Sequence, residues 1–166
     1  MRLLAWLSMS IFGLLLTTSP SVADDRLSAI NQSGDTLLTA VWKKREATVT
    51  IRAAKLEADR HGEIPSNRSN DKAIGVIREL SISVDGHQVF VPRSVFADLI
   101  DPRKAKIGFE PGRFVLSIGG GDGADSYVLH VYFDGKKITR RALYSSLVPD
   151  KAVEVTRYWL RVLKDE

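Results

Sequence analysis

No cysteine occurs anywhere in the 166 residues. That excludes disulfides, thiolate metal sites, cysteine nucleophiles and a lipid-modified N-terminal cysteine, and it leaves packing alone to hold the fold. Long apolar runs are scarce as well. Residues 3–16 are apolar apart from Ser8 and Ser10, which falls short of the roughly 20 apolar residues a membrane-spanning helix needs. Histidine is limited to His61, His87 and His130, no two of which have metal-ligand spacing. No Gly-x-Ser-x-Gly elbow marks a nucleophile, and no repeat or break in composition divides the chain.

What is there begins with an export signal. Arg2 and the amino terminus form a short positive region, the apolar run follows, and Thr17, Thr18, Ser19 and Pro20 end it. Ser21, Val22 and Ala23 then offer a small-residue cleavage site before Asp24. The expectation is cleavage after Ala23, so that residues 1–23 are a signal peptide and the mature protein works in the periplasm or outside the cell, with no stable membrane anchor. Without a twin-arginine pair, the general secretory route is expected. Removing the leader takes away Arg2 alone among charged side chains, leaving 23 basic against 20 acidic residues. Such a balance favours solubility and does not single out nucleic acid as a partner.

The remaining 143 residues suit one domain by the usual prior of roughly 100 to 200 residues each. Residues 24–35 are polar and predict a loosely held lead-in; residues 36–166 predict a single β-rich domain. Stretches 36–44 and 47–53 form a first strand pair, the second alternating Val49, Ile51 and Ala53 with polar neighbours, a period of two that means one buried face. Residues 55–72 are polar and long for a loop in a compact domain. Leu80, Ile82 and Val84 meet Asp85-Gly86 and then Val89 and Val91, the chemistry of a two-residue hairpin that sets Ile82 opposite Val89 and Leu80 opposite Val91. Pro92, Val95, Phe96 and Leu99 predict a short helical segment ended by Asp101-Pro102. A second hairpin joins 104–110 to 113–118 through Pro111-Gly112, and a third joins 126–133 to 136–144 through Asp134-Gly135. Stretch 153–163 fits a strand better than a helix, because Val153-Glu154-Val155-Thr156 is poor helix material. About eight hairpin-linked strands and one short helix imply an all-β fold, an antiparallel sandwich or barrel.

The most unusual segment runs Gly119, Gly120, Gly121, Asp122, Gly123, Ala124, Asp125, Ser126, Tyr127. It fails as a dinucleotide-binding loop, because that motif must open a helix and here a strand follows. From Gly120 it resembles one copy of a calcium-binding nonapeptide repeat, but such repeats bind calcium when stacked in series and there is no second copy. No cofactor and no metal is therefore expected. A glycine-rich loop ending in Ser-Tyr can also present an aromatic anchor to a partner's cleft. In this the loop resembles that of periplasmic lysozyme inhibitors, small exported β-rich proteins whose Ser- and Gly-rich loop, ending in Tyr, enters the lysozyme active site. The resemblance covers these nine residues; Gly119-Gly120 replace the family's Ser-Gly start, so Ser126 and Tyr127 are the matching positions. It implies stoichiometric inhibition of a cell-wall hydrolase.

Lys136, Lys137, Arg140 and Arg141 form a candidate basic patch on the third hairpin, split by alternation with Lys136 and Arg140 on one face and Lys137 and Arg141 on the other. It would attract anionic lipid, glycan or an acidic protein surface, or simply guard a sheet edge. His130, alternating with Val128 and Tyr132, reads as a half-exposed sheet residue. Carboxylate pairs such as Asp98 with Asp101 and Asp122 with Asp125 keep open a hydrolase with dispersed acidic residues. The leading expectation is a non-enzymatic exported domain that binds another protein or envelope component through the 119–127 loop or an open sheet edge.

Overall fold

A computed structural model of the chain describes residues 27–57 and 73–159. The expected leader at 1–23, His61 and residues 160–163 lie outside the described residues. Within them the protein is all-β: ten strands in two antiparallel sheets, with helical structure limited to short 3-10 turns. The strands are β1 (Ser28–Ala29), β2 (Gly34–Trp42), β3 (Arg45–Leu56), β4 (Ile74–Val84), β5 (His87–Val89), β6 (Pro102–Glu110), β7 (Arg113–Gly120), β8 (Tyr127–Phe133), β9 (Ile138–Ser145) and β10 (Val148–Arg157). One sheet has the order β1-β6-β7-β8-β9-β10 and the other β2-β3-β4-β5. The sheets face each other as an open sandwich, and no barrel closes, because only isolated bridges, Val76 to Ile100 and Phe90 to Lys137, pass between their edges.

The alternation read from the sequence sets the layers. Val49 and Ile51 on β3 and Ile82 and Val84 on β4 point into the space between the sheets. They meet Leu116 and Ile118 of β7 and Leu129 and Val131 of β8, all at or near zero exposure. At one end an aromatic chain fills the gap: Trp42 stacks on Phe109 at 4.3 Å, and Phe109 meets Phe114 edge-on at 5.5 Å. Each such pair adds roughly 0.5–1.5 kcal/mol beyond the area it buries.

Turn chemistry placed the hairpins with one exception. Asp85 and Gly86 both have positive φ, 53° and 78°, as a type I′ turn requires, and Ile82 faces Val89. Pairing stops there, so Leu80 does not meet Val91: Phe90 leaves the ladder for an isolated bridge to Lys137, just before β9. Pro111-Gly112 turns with Gly112 at φ 85° and joins Phe109 to Phe114 in register. At the third hairpin the connection is wider than Asp134-Gly135. The Asp134 amide bonds the Lys137 carbonyl, and its carboxylate accepts the amides of Lys136 and Lys137 at 2.7 and 3.0 Å. The helical segment after Pro92 reduces to a 3-10 turn at Arg93–Val95, though Val95, Phe96 and Leu99 are buried as their spacing implied. In the lead-in, Ser28 and Ala29 pair with β6 and Ile30 is buried, so the described part is tied down by more than its polarity indicated. Val148–Arg157 is a strand, begun five residues before the expected stretch.

Candidate binding site

The 119–127 loop is built inward. Gly119 and Gly120 belong to β7 and are buried along with Gly121. A β-carbon on Gly120 would lie 2.5 Å from the Tyr127 hydroxyl and 2.6 Å from the Asp101 carbonyl oxygen. Gly121 has φ +74°, and a β-carbon there would run into the Asp125 carbonyl. Glycine at these two positions is thus a matter of close approach and backbone angle. Tyr127 donates its hydroxyl to the Ile100 carbonyl at 3.1 Å and packs against the core. Burial, with the charges of Asp101 and Asp98 behind it, pushes its phenol well above the ordinary tyrosine range. The Ser126 hydroxyl closes on the Gly123 carbonyl at 2.7 Å. Asp122 is exposed and lies 3.7 Å from Arg103, while Gly123, Ala124 and Asp125 make a 3-10 turn at the surface. Ser126 and Tyr127, the positions that resembled an inhibitor's inserting tip, are engaged with their own chain.

The basic residues do not form one surface either. Arg141 is 1% exposed, a correction to its reading as part of a surface patch. Its guanidinium bonds Asp98, Glu154 and, at 3.1 Å, the Val95 carbonyl. Arg140 lies against the Tyr132 ring on the outward face of the larger sheet, Lys137 is half-buried beside the Phe90 bridge, and Lys136 is exposed at the turn. Asp98 is therefore committed to Arg141, and the Asp101 carboxylate accepts the Gly75 amide at 2.7 Å.

His130 lies half-buried on the outward face, where its Nδ1 is 3.0 Å from the Ser117 hydroxyl, and Tyr144 meets its ring edge-on at 5.3 Å. Desolvation lowers its pKa. Alternation did not single out this serine-histidine pair, because they sit on neighbouring strands 13 residues apart. The pair occupies a flat sheet face whose surrounding amides serve the strand ladders, so it has a base beside a hydroxyl without the preset oxyanion donors of acyl transfer. His87 sits on β5 with its Nδ1 3.0 Å from the Asp85 carbonyl oxygen. An open trough of about 640 Å³ beside it is lined by Arg45, Asp85 and Asp134, whose charges are already engaged, Arg45 with Asp85 at 2.9 Å.

One surface left open is β10, an edge strand as β2 is in the other sheet. It closes the six-stranded sheet at one edge, so one row of its backbone donors and acceptors has no strand beside it among the described residues. Its first half is irregular, with Pro149 lacking an amide hydrogen and register shifts between Val148 and Glu154. From Glu154 to Arg157 it pairs regularly with β9, and the Tyr158 amide extends that pairing to the Thr139 carbonyl. Apolar side chains are left in water along it and just past its end: Val153 is 62% exposed, Val155 47% and Trp159, two residues beyond the strand, 82%. Trp159 and Tyr158, with Phe90, Pro92, Lys137 and Ile138, line a pocket of about 210 Å³ at the mouth of the sandwich. Phe90 is itself 68% exposed. Strand edges in stable monomers carry charge, proline or bulges against pairing, and contiguous exposed apolar groups mark contact surfaces. Here proline and bulges guard only the first half of the strand, and the second half carries Glu154 and Arg157 beside its apolar groups. In comparisons with known proteins, no family model, no curated protein and no solved structure matches this chain.

Proposed function

We propose that this chain is an exported, non-enzymatic binding domain that takes up an extended segment of another envelope protein along the regular half of β10. Strand addition supplies main-chain hydrogen bonds, and an apolar side chain of the partner enters the Phe90–Trp159 pocket for specificity. The observation that carries the reading is the row Val153, Val155 and Trp159, exposed on an otherwise unpaired edge.

Photo-crosslinking tests it. A photoreactive residue in place of Arg157, in the native envelope, should yield one major adduct. Trp159→Ala or Val155→Lys should reduce that adduct and weaken binding to the purified partner by roughly thirtyfold, the scale of losing a central aromatic anchor at about 2 kcal/mol. No adduct above background, or an adduct indifferent to both substitutions, would refute the docking edge.

A further inference from the structure

The outward face of the six-stranded sheet holds a second cluster, which shares Arg157 with the β10 edge. Phe114, Leu116 and Ile118 on β7 and Leu129, Val131 and Phe133 on β8 point into the core, so Arg113, Val115 and Ser117, and Val128, His130 and Tyr132, point away from it. The register then sets Tyr132 opposite Arg140, and Arg140 opposite Arg157. Tyr132 is flanked by two guanidiniums, Arg113 with Cζ 4.7 Å from the ring centre and Arg140 at 5.0 Å. Arg113 is answered by Glu110, at 2.6 and 3.0 Å.

Arg140 and Arg157 have no such answer among the described residues. Like charges directly opposite in an antiparallel pair destabilise it. The Nε of Arg140 is buried without a hydrogen-bond partner among the described residues, an uncommon and costly state for a charged group. Two arginines set opposite each other by the register, and an orphaned donor on one of them, point to one missing component, an oxyanion.

We propose that Arg140 and Arg157 form a binding site for a phosphate group. A phosphate monoester has three acceptor oxygens and close to two negative charges at neutral pH, enough to satisfy both guanidiniums, whereas a carboxylate offers two oxygens and one charge. Tyr132 holds the Arg140 guanidinium against its ring, and Arg113, on the same ring, adds to the positive field. The phosphate comes either free or as the headgroup of an envelope lipid.

Calorimetric titration with inorganic phosphate, and sedimentation with phosphatidylcholine vesicles with and without phosphatidic acid, separate these sources. Binding in either arm at 0.15 M salt is expected, with phosphate alone sufficient if the ligand is free and only the phosphatidic acid vesicles effective if it is a headgroup. Arg140→Gln and Arg157→Gln should each weaken it at least tenfold while circular dichroism stays unchanged. Lys104→Gln, on β6 of the same sheet and away from β9 and β10, should leave it within twofold. Absence of binding in both arms, an Arg157→Gln variant that binds like the parent, or equal weakening by Lys104→Gln would each overturn the proposal, the last by reducing it to net charge.

Discussion

Arg141 carries the largest local electrostatic commitment in the described structure. Its guanidinium is out of water, while its partners Asp98 and Glu154 remain half-exposed. Truncating it therefore leaves a void beneath the 3-10 turn and two carboxylates that can rehydrate. Arg141→Ala should cost about 3 kcal/mol, the lower end for breaking a buried pair, read as a fall in urea midpoint at unchanged slope. Arg141→Met, which keeps much of the volume, should cost less. Nothing in the run from Lys136 to Arg141 distinguished this arginine from its neighbours. Its partners come from residues 95–98 and 154, and a register shift beside Phe133 resets which β9 residues face inward.

Tyr127 makes a second prediction at the same scale. Its folded phenol titrates above the unfolded value near 10, so above pH 10 the unfolded chain loses that proton first and the unfolded state gains. Stability should hold up to about pH 10 and fall beyond it. Tyr127→Phe should lose roughly 1 kcal/mol at neutral pH with the hydrogen bond to Ile100 and show a shallower fall between pH 10 and 11. A steeper fall in the variant would contradict the assignment. The sequence marked this tyrosine as notable for its glycine-rich context, but the direction it points depends on Ile100 and Asp101, supplied by a segment some 27 residues earlier.

At the scale of elements, legibility followed how local the cause was. Asp85-Gly86 and Pro111-Gly112 fixed their hairpins because a positive φ is a demand on one or two residues. The glycine run misled for the complementary reason: its composition is that of a free loop, while its use is to admit the Tyr127 hydroxyl and the Asp125 carbonyl. Gly121→Ala should accordingly destabilise the domain by about 1–3 kcal/mol through a left-handed backbone and a steric clash. Thermal melts of Gly121→Ala beside Gly123→Ala separate the two causes, since Gly123 shares the positive φ with nothing within reach of an added β-carbon. The larger loss belongs to Gly121. The exposure of β10 left no local sign, because Val153 and Val155 look like any half-buried pair until the strand across from them is known to be absent among the described residues.

For the whole molecule, strand content and alternation established an all-β class, but closure was beyond them. Whether a sheet curls into a barrel depends on edge strands meeting, and here Phe90 and Ile100 bridge once each where a barrel would need continuous ladders. The candidate site scattered for a related reason. The loop and the basic run were contiguous in sequence, whereas the Phe90–Trp159 pocket and the Arg140–Arg157 pair gather residues from separate strands.

The strand order has a kinetic corollary. Every ladder but one joins strands consecutive along the chain, so both meanders can zip up hairpin by hairpin; only Ser28–Ala29 must travel back to β6, to face Ala105 and Lys104. Closing so long a loop for two residues makes this the last ladder to form and the first to open. Native-state hydrogen exchange should show the Ile30 amide, bonded to the Arg103 carbonyl, exchanging well ahead of amides in β7 and β8. Uniform protection across all three would refute this order. Each such opening lays the flank of β6 bare while the rest of its sheet stays folded, so this sheet is transiently able to accept a foreign strand at both of its margins.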